Sequence, residues 1–261
     1  MNYSFVTRTD PGRARENNED SVAVDGDTHL CVLADGMGGY NAGEIASGMA
    51  TAFIQSEMAR WLTEAGRGAK TKEIRRAMEI CVDNANRSIF NAANSNPQYS
   101  GMGTTLVVGV FRGTTLVLGH IGDSRCYRLR NGEFAQITKD HSLLQEQIDA
   151  GLITQEQAVG SSIKNLVTRA LGVEDAVPLD LSEHEVEVGD WYLMCSDGLS
   201  DMVDDAEIAS ILGGPAPIEQ KADSLVTAAN DHGGRDNISV LLVQVDATSE
   251  KRGLISRLLG K

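Results

Sequence analysis

The chain repeats short apolar runs that end abruptly in an acidic residue followed by glycine. Residues 31–34 form one continuous apolar run, which is typical of a buried strand, and Asp35-Gly36 follows it directly. Residues 191–196 form a second run of this kind, which ends at Asp197-Gly198. Each Asp-Gly pair is therefore predicted to present a carboxylate at the end of a buried strand.

Apolar positions that recur every three or four residues predict helices, and other apolar runs predict strands. The helix that follows the first Asp-Gly pair has Asn41 as its candidate N-cap and Glu44 in its first turn. Its predicted buried stripe consists of Ile45, Met49, Ala52 and Phe53. The predicted helices are 42–64, 71–94, about 204–212 and 218–231, and two N-terminal strands are predicted at 3–9 and about 21–25.

The pattern changes to short β-rich runs over residues 100–138, where Asn131-Gly132 is a hairpin signal. We predict an antiparallel meander of about four strands, with Asp123 at the turn between the second and third. Residues 139–172 carry short helical pieces separated by glycines, which predicts a helical flap of lower local stability. Beyond the flap, Val186 and Val188 alternate with glutamates and are predicted to form one buried face of a strand.

Composition narrows the classes of function. The 261 residues are 41% hydrophobic, enough for one domain with its own core, and acids outnumber bases 37 to 23. The net charge of −14 argues against a nucleic-acid partner, because a phosphate backbone requires a basic surface. No apolar run approaches the ~20 residues that span a bilayer, and the N-terminus lacks signal-peptide features. We therefore expect a cytoplasmic protein without a transmembrane segment.

The cysteines and histidines indicate no site of their own. The four cysteines lie far apart without a CxxC pair, so they are expected to be core thiols. Cys81 and Arg87 stand six residues apart, as in the cysteine phosphatase loop, but Cys81 falls on an apolar helical stripe and no glycine lies between them. The five histidines show no HxH or HExxH spacing, so we expect no zinc-hydrolase ligand set.

The glycine-rich turn after Asp35 permits three interpretations. A dinucleotide-binding turn is disfavoured, because its third glycine would fall at position 41, which is Asn, and Asp35 would repel the pyrophosphate. A simple Asp-Gly turn and a site for a hard cation, with the Gly36 carbonyl as one ligand, fit this stretch equally well. Acids elsewhere in the chain must distinguish them.

Those acids favour a cation site over a simple Asp-Gly turn. Asp35, Asp197 and Asp236, with Glu19 or Asp20, stand at strand ends and would converge if their strands belong to packed sheets. Oxygen ligands without histidine or thiolate suit Mg²⁺ or Mn²⁺. A pair of such ions with a bridging water is a common device for phosphoryl hydrolysis, in which an arginine binds the phosphate. Arg15 is the candidate for that arginine.

The ordered motifs RENNED, ADGMGG, GMGTT, GDSR, SDGL and GRDNIS, between about residues 3 and 246, make the chain resemble the metal-dependent (type 2C) serine/threonine protein phosphatases in their compact bacterial form. The resemblance implies an α+β fold, a four-layer α-β-β-α sandwich of two antiparallel sheets flanked by helices. It also implies two Mn²⁺ or Mg²⁺ ions, possibly a third, at one edge of the sandwich. The implied catalytic domain is 1–247, and 248–261 is a basic amphipathic tail.

The resemblance also assigns roles by position. Asp35 would bridge both ions, and Asp197 and Asp236 would complete one. The Gly36 carbonyl would ligate the other, which Glu19 would bind directly or through water. Asp20 would orient a water, Asp123 with Asp197 would hold a third, weaker ion, and Arg15 would bind the phosphate. Animal members carry a histidine, a candidate general acid, where this chain has Met37; bacterial relatives often carry one at Tyr40.

The implied activity is hydrolysis of phosphoserine and phosphothreonine by a water activated between the two ions, opposing a serine/threonine kinase in signalling. The expected partners are phosphoproteins, including that kinase and its substrates, and the chain is expected to be a monomer. The alternative is a phosphatase-like module that binds or regulates without catalysis. The tail would contact a partner or an anionic membrane surface, or would fray or pack on its own domain.

Overall fold

Two antiparallel β-sheets form the centre of the protein in a computed structural model, which describes residues 1–39, 42–158 and 166–247. One sheet has the order β1-β11-β10-β7-β8, and the other has the order β2-β3-β5-β6-β9, with β4 also paired to β3. The strands are β1 (Asn2–Asp10), β2 (Asp20–Asp25), β3 (Leu30–Met37), β4 (Gly103–Thr104), β5 (Leu106–Arg112), β6 (Thr115–Ile121), β7 (Arg125–Arg130), β8 (Glu133–Gln136), β9 (Asp180–Glu185), β10 (Trp191–Cys195) and β11 (Ile238–Asp246).

Helices cover the outer face of each sheet. They are α1 (Ala42–Ala65), α2 (Thr71–Ser95), α3 (Leu143–Asp149), α4 (Gln155–Ala158), α5 (Asp197–Ser200), α6 (Asp205–Gly213) and α7 (Ile218–Asp231), with a 3₁₀ turn at Pro97–Tyr99. The predicted helices 42–64, 71–94, 204–212 and 218–231 correspond to α1, α2, α6 and α7. In the described part of the chain, no helix is long and apolar enough to cross a membrane.

Three apolar layers hold the sandwich together. Alternate residues of β3 point to opposite sides: Leu30 and Val32 pack against α1 and α2, whereas Cys31 and Leu33 pack between the sheets. A third cluster joins the β10–β11 face to α6 and α7, with Leu193 and Leu242 at its centre. The predicted α-β-β-α sandwich is confirmed.

The predicted four-strand meander is wrong in its connectivity. β5 and β6 form a hairpin in one sheet, and β7 and β8 form a hairpin in the other. The chain crosses between sheets at Gly122, where φ is +100° and an added Cβ would lie 2.7 Å from the Thr105 Cγ2. This crossing places Asp123 at the edge between the two sheets.

Two predicted apolar faces also differ from the structure. Helix α1 packs through small residues such as Ala46 and Ala50, while Ile45 and Ala52 are exposed. Small side chains let the helix axis approach the sheet closely, and hydrophobicity alone did not identify that face. Val188 is 54% exposed because β9 ends at Glu185, before the predicted alternation; only Val186 is buried.

One edge of the sandwich gathers the ends of several strands. The end of β1 pairs with the start of β11, and the start of β2 pairs with the end of β3. The end of β6 pairs with the start of β5 at the same edge. The predicted flap, 139–172, contains α3 and α4 near this edge, and part of it lies outside the described residues.

Candidate metal centre and active site

Asp20 and Asp35 face each other across the β2–β3 pair. The Ser196 hydroxyl donates to Asp20 Oδ2 at 2.7 Å, while the buried Oδ1 has no hydrogen-bond partner among the described residues. Burial raises the pKa of Asp20 to about 7 and the pKa of Asp35 well above its usual range, and the neighbouring acids raise the pKa of Asp35 further. A buried carboxylate oxygen without a partner, among other acids, fits a site for a cation.

Two threonines hold the backbone of Asp35. The Asp35 N–H donates to Thr105 Oγ1 at 3.0 Å, and the Asp35 carbonyl accepts from the Thr105 N–H at 2.9 Å. The Thr104 hydroxyl donates to the same carbonyl at 2.8 Å. The GMGTT motif therefore positions Asp35 without contributing a carboxylate of its own.

Asp197 is the first residue of α5 and is separated from β10 by Ser196 alone, and Asp236 precedes β11. An ideal Cβ at Gly198 would lie 2.0 Å from the Asn237 carbonyl oxygen, so glycine allows these two acidic turns to touch. Burial, followed by the charges of Asp123 and Asp236, raises the pKa of Asp197 to about 8. The two turns thus bring their carboxylates together.

Glu19 is placed by Asn237. The Asn237 Oδ1 accepts from the Glu19 N–H at 2.8 Å, and its Nδ2 donates to the carbonyls of Pro11 and Asn17. The Glu19 carbonyl accepts from the Gly36 N–H at 3.0 Å. A Cβ on Gly43 would lie 2.6 Å from Glu19 Oε2, so a glycine in the first turn of α1 makes room for this carboxylate.

Asp123 lies at the crossing between the sheets and is 8% exposed. Burial raises its pKa to about 6, with contributions from the charges of Asp140 and Asp201. Asp123, Asp140, Asp197 and Asp201 line one cleft together with Arg125. Arg125 donates to both carboxylate oxygens of Asp140, to Oδ1 at 3.1 Å and to Oδ2 at 2.7 Å.

Asp201 was missed by the sequence reasoning. It follows Asp197 by four residues, and its N–H donates to the Asp197 carbonyl at 2.7 Å, so the two acids lie on one face of a helical turn. The sequence signal that could have identified Asp201 is the i, i+4 spacing of the two aspartates in DGLSD. The apolar pattern presents that stretch only as a strand followed by an Asp-Gly turn.

Arg15 lies at the rim of this cluster of acidic residues. Its Nη2 donates to Asp236 Oδ2 at 2.8 Å, and its side chain is 55% exposed. The Asp236 carboxylate raises the pKa of Arg15, so the guanidinium stays charged. The structure therefore places an exposed cation beside one of the predicted metal ligands.

The cysteine-phosphatase alternative is excluded by geometry. Cys81 is buried on α2, and burial raises the pKa of its thiol to about 12, so no reactive thiolate forms at neutral pH. Arg87 pairs with Asp83 on the exposed side of the same helix at 3.1 Å. Cys31, Cys126 and Cys195 are also buried and free, as expected for core thiols.

Gly198→Ala is expected to destabilise the protein by about 2–3 kcal/mol, because its Cβ would collide with backbone that has no room to move. Thermal unfolding, monitored by circular dichroism, would show a melting temperature lower by roughly 5–10 °C. Gly26→Ala is the matched control, since nothing lies within 4 Å of an ideal Cβ at that position, and it should change stability by less than about 0.5 kcal/mol. Equal effects of the two changes would contradict the tight packing of these turns.

Comparisons with known proteins agree with this geometry. The protein phosphatase 2C profile matches residues 12–239. The serine/threonine phosphatase stp of Listeria monocytogenes is 39% identical over 251 residues, which cover 94% of this chain and 97% of that protein.

Two solved structures have the same fold. The Mycobacterium tuberculosis serine/threonine phosphatase PstP/Ppp has a TM-score of 0.87 at 37% identity, covering 95% of this chain and 100% of that chain. The catalytic domain of PstP in complex with two manganese ions has a TM-score of 0.81 at 38% identity, covering 94% and 99%. The sandwich with acids at one edge defines the class of metal-dependent phosphoprotein phosphatases. This chain belongs to the protein phosphatase 2C family.

Proposed function

We propose that the protein is a serine/threonine phosphatase that uses two Mn²⁺ or Mg²⁺ ions to hydrolyse phosphoserine and phosphothreonine in other proteins. The observation that carries the proposal is the cluster of acids from separate segments, whose burial and mutual repulsion raise their pKa values. Such a cluster is costly without a cation, and its all-oxygen donor set suits a hard divalent ion. The acids with a raised pKa are Asp20, Asp35, Asp123 and Asp197, and the charge of Asp236 acts on Asp35 and Asp197.

The proposed ligands follow the resemblance residue by residue. Asp35 would bridge the two ions, Asp197 and Asp236 would complete one, and Glu19 and the Gly36 carbonyl would serve the other. Asp20 would orient a water, which is consistent with its bond from Ser196 and its unpartnered Oδ1. Asp123 and Asp197 would hold a third, weaker ion.

The ions, when bound, would supply Lewis acidity that lowers the pKa of the attacking water and neutralises charge on the phosphoryl group. The Arg15 guanidinium would bind two phosphate oxygens in parallel and fix the phosphorus in line with that water. Thr104 and Thr105 would hold Asp35 in register throughout the reaction. Met37 stands where animal relatives carry histidine, so we propose that water protonates the leaving group.

The alternative is a module that keeps the fold and binds phosphoproteins without turnover. Loss of one or more acids would be expected in such a module, whereas this chain retains every acid that the resemblance assigns. Catalysis is therefore the better-supported proposal.

We further propose that the protein acts in the cytoplasm as a monomer and opposes a serine/threonine kinase. Its four buried free cysteines suit a reducing compartment, and the relatives named above are bacterial serine/threonine phosphatases. We assign catalysis to 1–247, with 139–172 as a flap, because the last strand, β11, ends at Asp246 and the family match covers residues 12–239. Residues 248–261, the predicted basic tail, lie outside the described residues.

A panel of synthetic phosphopeptides tests the proposal and the domain boundary together. With Mn²⁺ present, the full chain and a chain ending at residue 247 should both release phosphate from phosphothreonine and phosphoserine peptides. Phosphotyrosine peptides of the same sequence should be poorer substrates. Mn²⁺ binding with no release of phosphate from any peptide would favour the non-catalytic module, and loss of activity only in the shorter chain would give the tail a catalytic role.

A further inference from the structure

His141 joins three separate segments at the base of the flap. Its backbone N–H donates to the Gly122 carbonyl at 2.9 Å, and its Nδ1 accepts from the Gly122 N–H at 3.1 Å. Its Nε2 lies 3.0 Å from Asp180 Oδ2 on β9, and its carbonyl accepts from the Thr168 N–H at 2.8 Å. The side chain is only 7% exposed. One buried histidine therefore satisfies both polar backbone groups of the residue before Asp123.

The hydrogen bonds of His141 determine its tautomer. Because Nδ1 faces an N–H donor, it carries no proton, and the proton of the neutral ring lies on Nε2 and is donated to Asp180. Arg169 Nη1, 3.4 Å from Nε2, is also a donor and lies 3.3 Å from the other Asp180 oxygen. Asp180 thus fixes the imidazole in the form that can accept from Gly122.

These contacts exclude a metal site at the same place. His120, His141 and Asp180 offer ligand atoms within 4.8 Å of one another. A metal needs an unprotonated ring nitrogen, but the His141 Nε2 carries a proton and its Nδ1 is occupied by Gly122. The rings of His120 and His141 also stack, with centroids 4.6 Å apart and planes 17° apart, so their in-plane lone pairs do not converge.

Thr105, the residue that accepts from the Asp35 N–H, also fixes the other side of the turn that His141 holds. Thr105 Oγ1, which accepts from the Asp35 N–H, lies 2.7 Å from Ser124 Oγ. Gly122 packs directly on Thr105, with no room for a Cβ. Asp123 therefore stands between two residues that are each held by a side chain, Gly122 by His141 and Ser124 by Thr105.

We propose that His141 is a positioning residue that fixes Asp123 for binding the weakest of the catalytic cations. It acts through the Gly122 backbone and touches neither the cation nor the substrate. This inference rests on the proposed function, since it assumes that Asp123 binds a divalent ion. The same contacts couple the base of the flap, through Thr168 and Ser142, to the acidic site.

Two substitutions of His141 each remove a different one of its side-chain contacts. In His141→Asn the side-chain oxygen lies near the Nδ1 position, so it can still accept from Gly122 but loses Asp180. In His141→Gln the amide reaches toward the Nε2 position, so it keeps Asp180 but loses the acceptor for Gly122. Calorimetric titration of the metal-free full chain with Mn²⁺ should show the weakest binding event weakened on the order of tenfold in His141→Gln and near wild type in His141→Asn.

A double-mutant cycle with Asp123→Asn tests whether the effect passes through Asp123. His141→Gln should cause no further loss of Mn²⁺ affinity when Asp123 is already Asn. His184→Asn, which removes a half-buried imidazole from β9, is the control and should leave Mn²⁺ binding unchanged. Melting temperatures measured in parallel should fall by similar amounts in both His141 variants.

Three results would overturn the proposal: unchanged Mn²⁺ affinity in His141→Gln, equal losses in the Asn and Gln variants, or additive losses in the cycle. Phosphopeptide hydrolysis by the wild-type chain is measured separately. A wild-type chain that binds Mn²⁺ but hydrolyses nothing would contradict the proposed function, while the binding cycle would still decide the role of His141.

Discussion

Asp35→Asn is expected to lower kcat/KM for a phosphothreonine peptide by on the order of 10³-fold, the largest loss of any single change in the site. The reason is that this carboxylate is proposed to bridge both ions, so its neutralisation weakens both at once. Because the amide is nearly isosteric, the backbone bonds to Thr104 and Thr105 should persist. Steady-state kinetics at several Mn²⁺ concentrations measure the loss.

In contrast to its activity, the thermal stability of the same variant is not expected to fall. Burial and the charges of Asp20 and Asp197 disfavour ionised Asp35, so the metal-free Asn variant should melt no lower than the metal-free wild type. Asp27→Asn, on the exposed β2–β3 turn, is the matched control and should alter neither activity nor stability. An inactive Asn variant that also melts well below the wild type would make Asp35 structural, and an active one would remove it from the site.

Arg15→Ala is expected to lower kcat/KM by about 100-fold, with a raised KM prominent and any fall in kcat reporting extra charge in the transition state. Arg15→Lys should not restore full activity, because lysine lacks the planar pair of donors. The exposed ion pair with Asp236 contributes little to stability, so the melting temperature and Mn²⁺ affinity should barely change.

Arg13→Ala provides the control for Arg15. Arg13 lies in the same loop, is 61% exposed and pairs at 3.0 Å with Asp231, which is not one of the proposed metal ligands. Its loss should leave the kinetics unchanged. Normal kinetics in Arg15→Ala would reduce Arg15 to a solvated surface residue, and a large drop in its melting temperature would assign it to the fold.

The sequence predicted the parts of the site that local pattern encodes. An apolar run that stops at Asp-Gly is visible in a few residues, so Asp35 and Asp197 were identified as acids at strand ends. Asp236 and Glu19 followed because each stands beside a strand. The layered fold came from the ordered motifs through their resemblance to a family, since no local pattern specifies which strands share a sheet.

What the sequence did not predict depends on contacts between distant residues. Thr105 supports Asp35, and His141 holds Gly122, although these residues lie far apart in the sequence. The spacing of apolar and polar residues along the chain does not indicate such contacts. The β6–β7 connection was interpreted as a hairpin turn because a crossing between sheets has the same glycine signal. The packed face of α1 was misplaced because close packing selects small residues over the most hydrophobic ones.

The most direct test of the central claim is phosphothreonine-peptide hydrolysis by the wild-type chain and Cys81→Ser, each with Mn²⁺ or with excess chelator. The account predicts that both proteins are fully active with Mn²⁺ and inactive in chelator, and that added Mn²⁺ restores activity. Activity that persists in chelator and disappears in Cys81→Ser would contradict the metal mechanism and support a thiol nucleophile in its place.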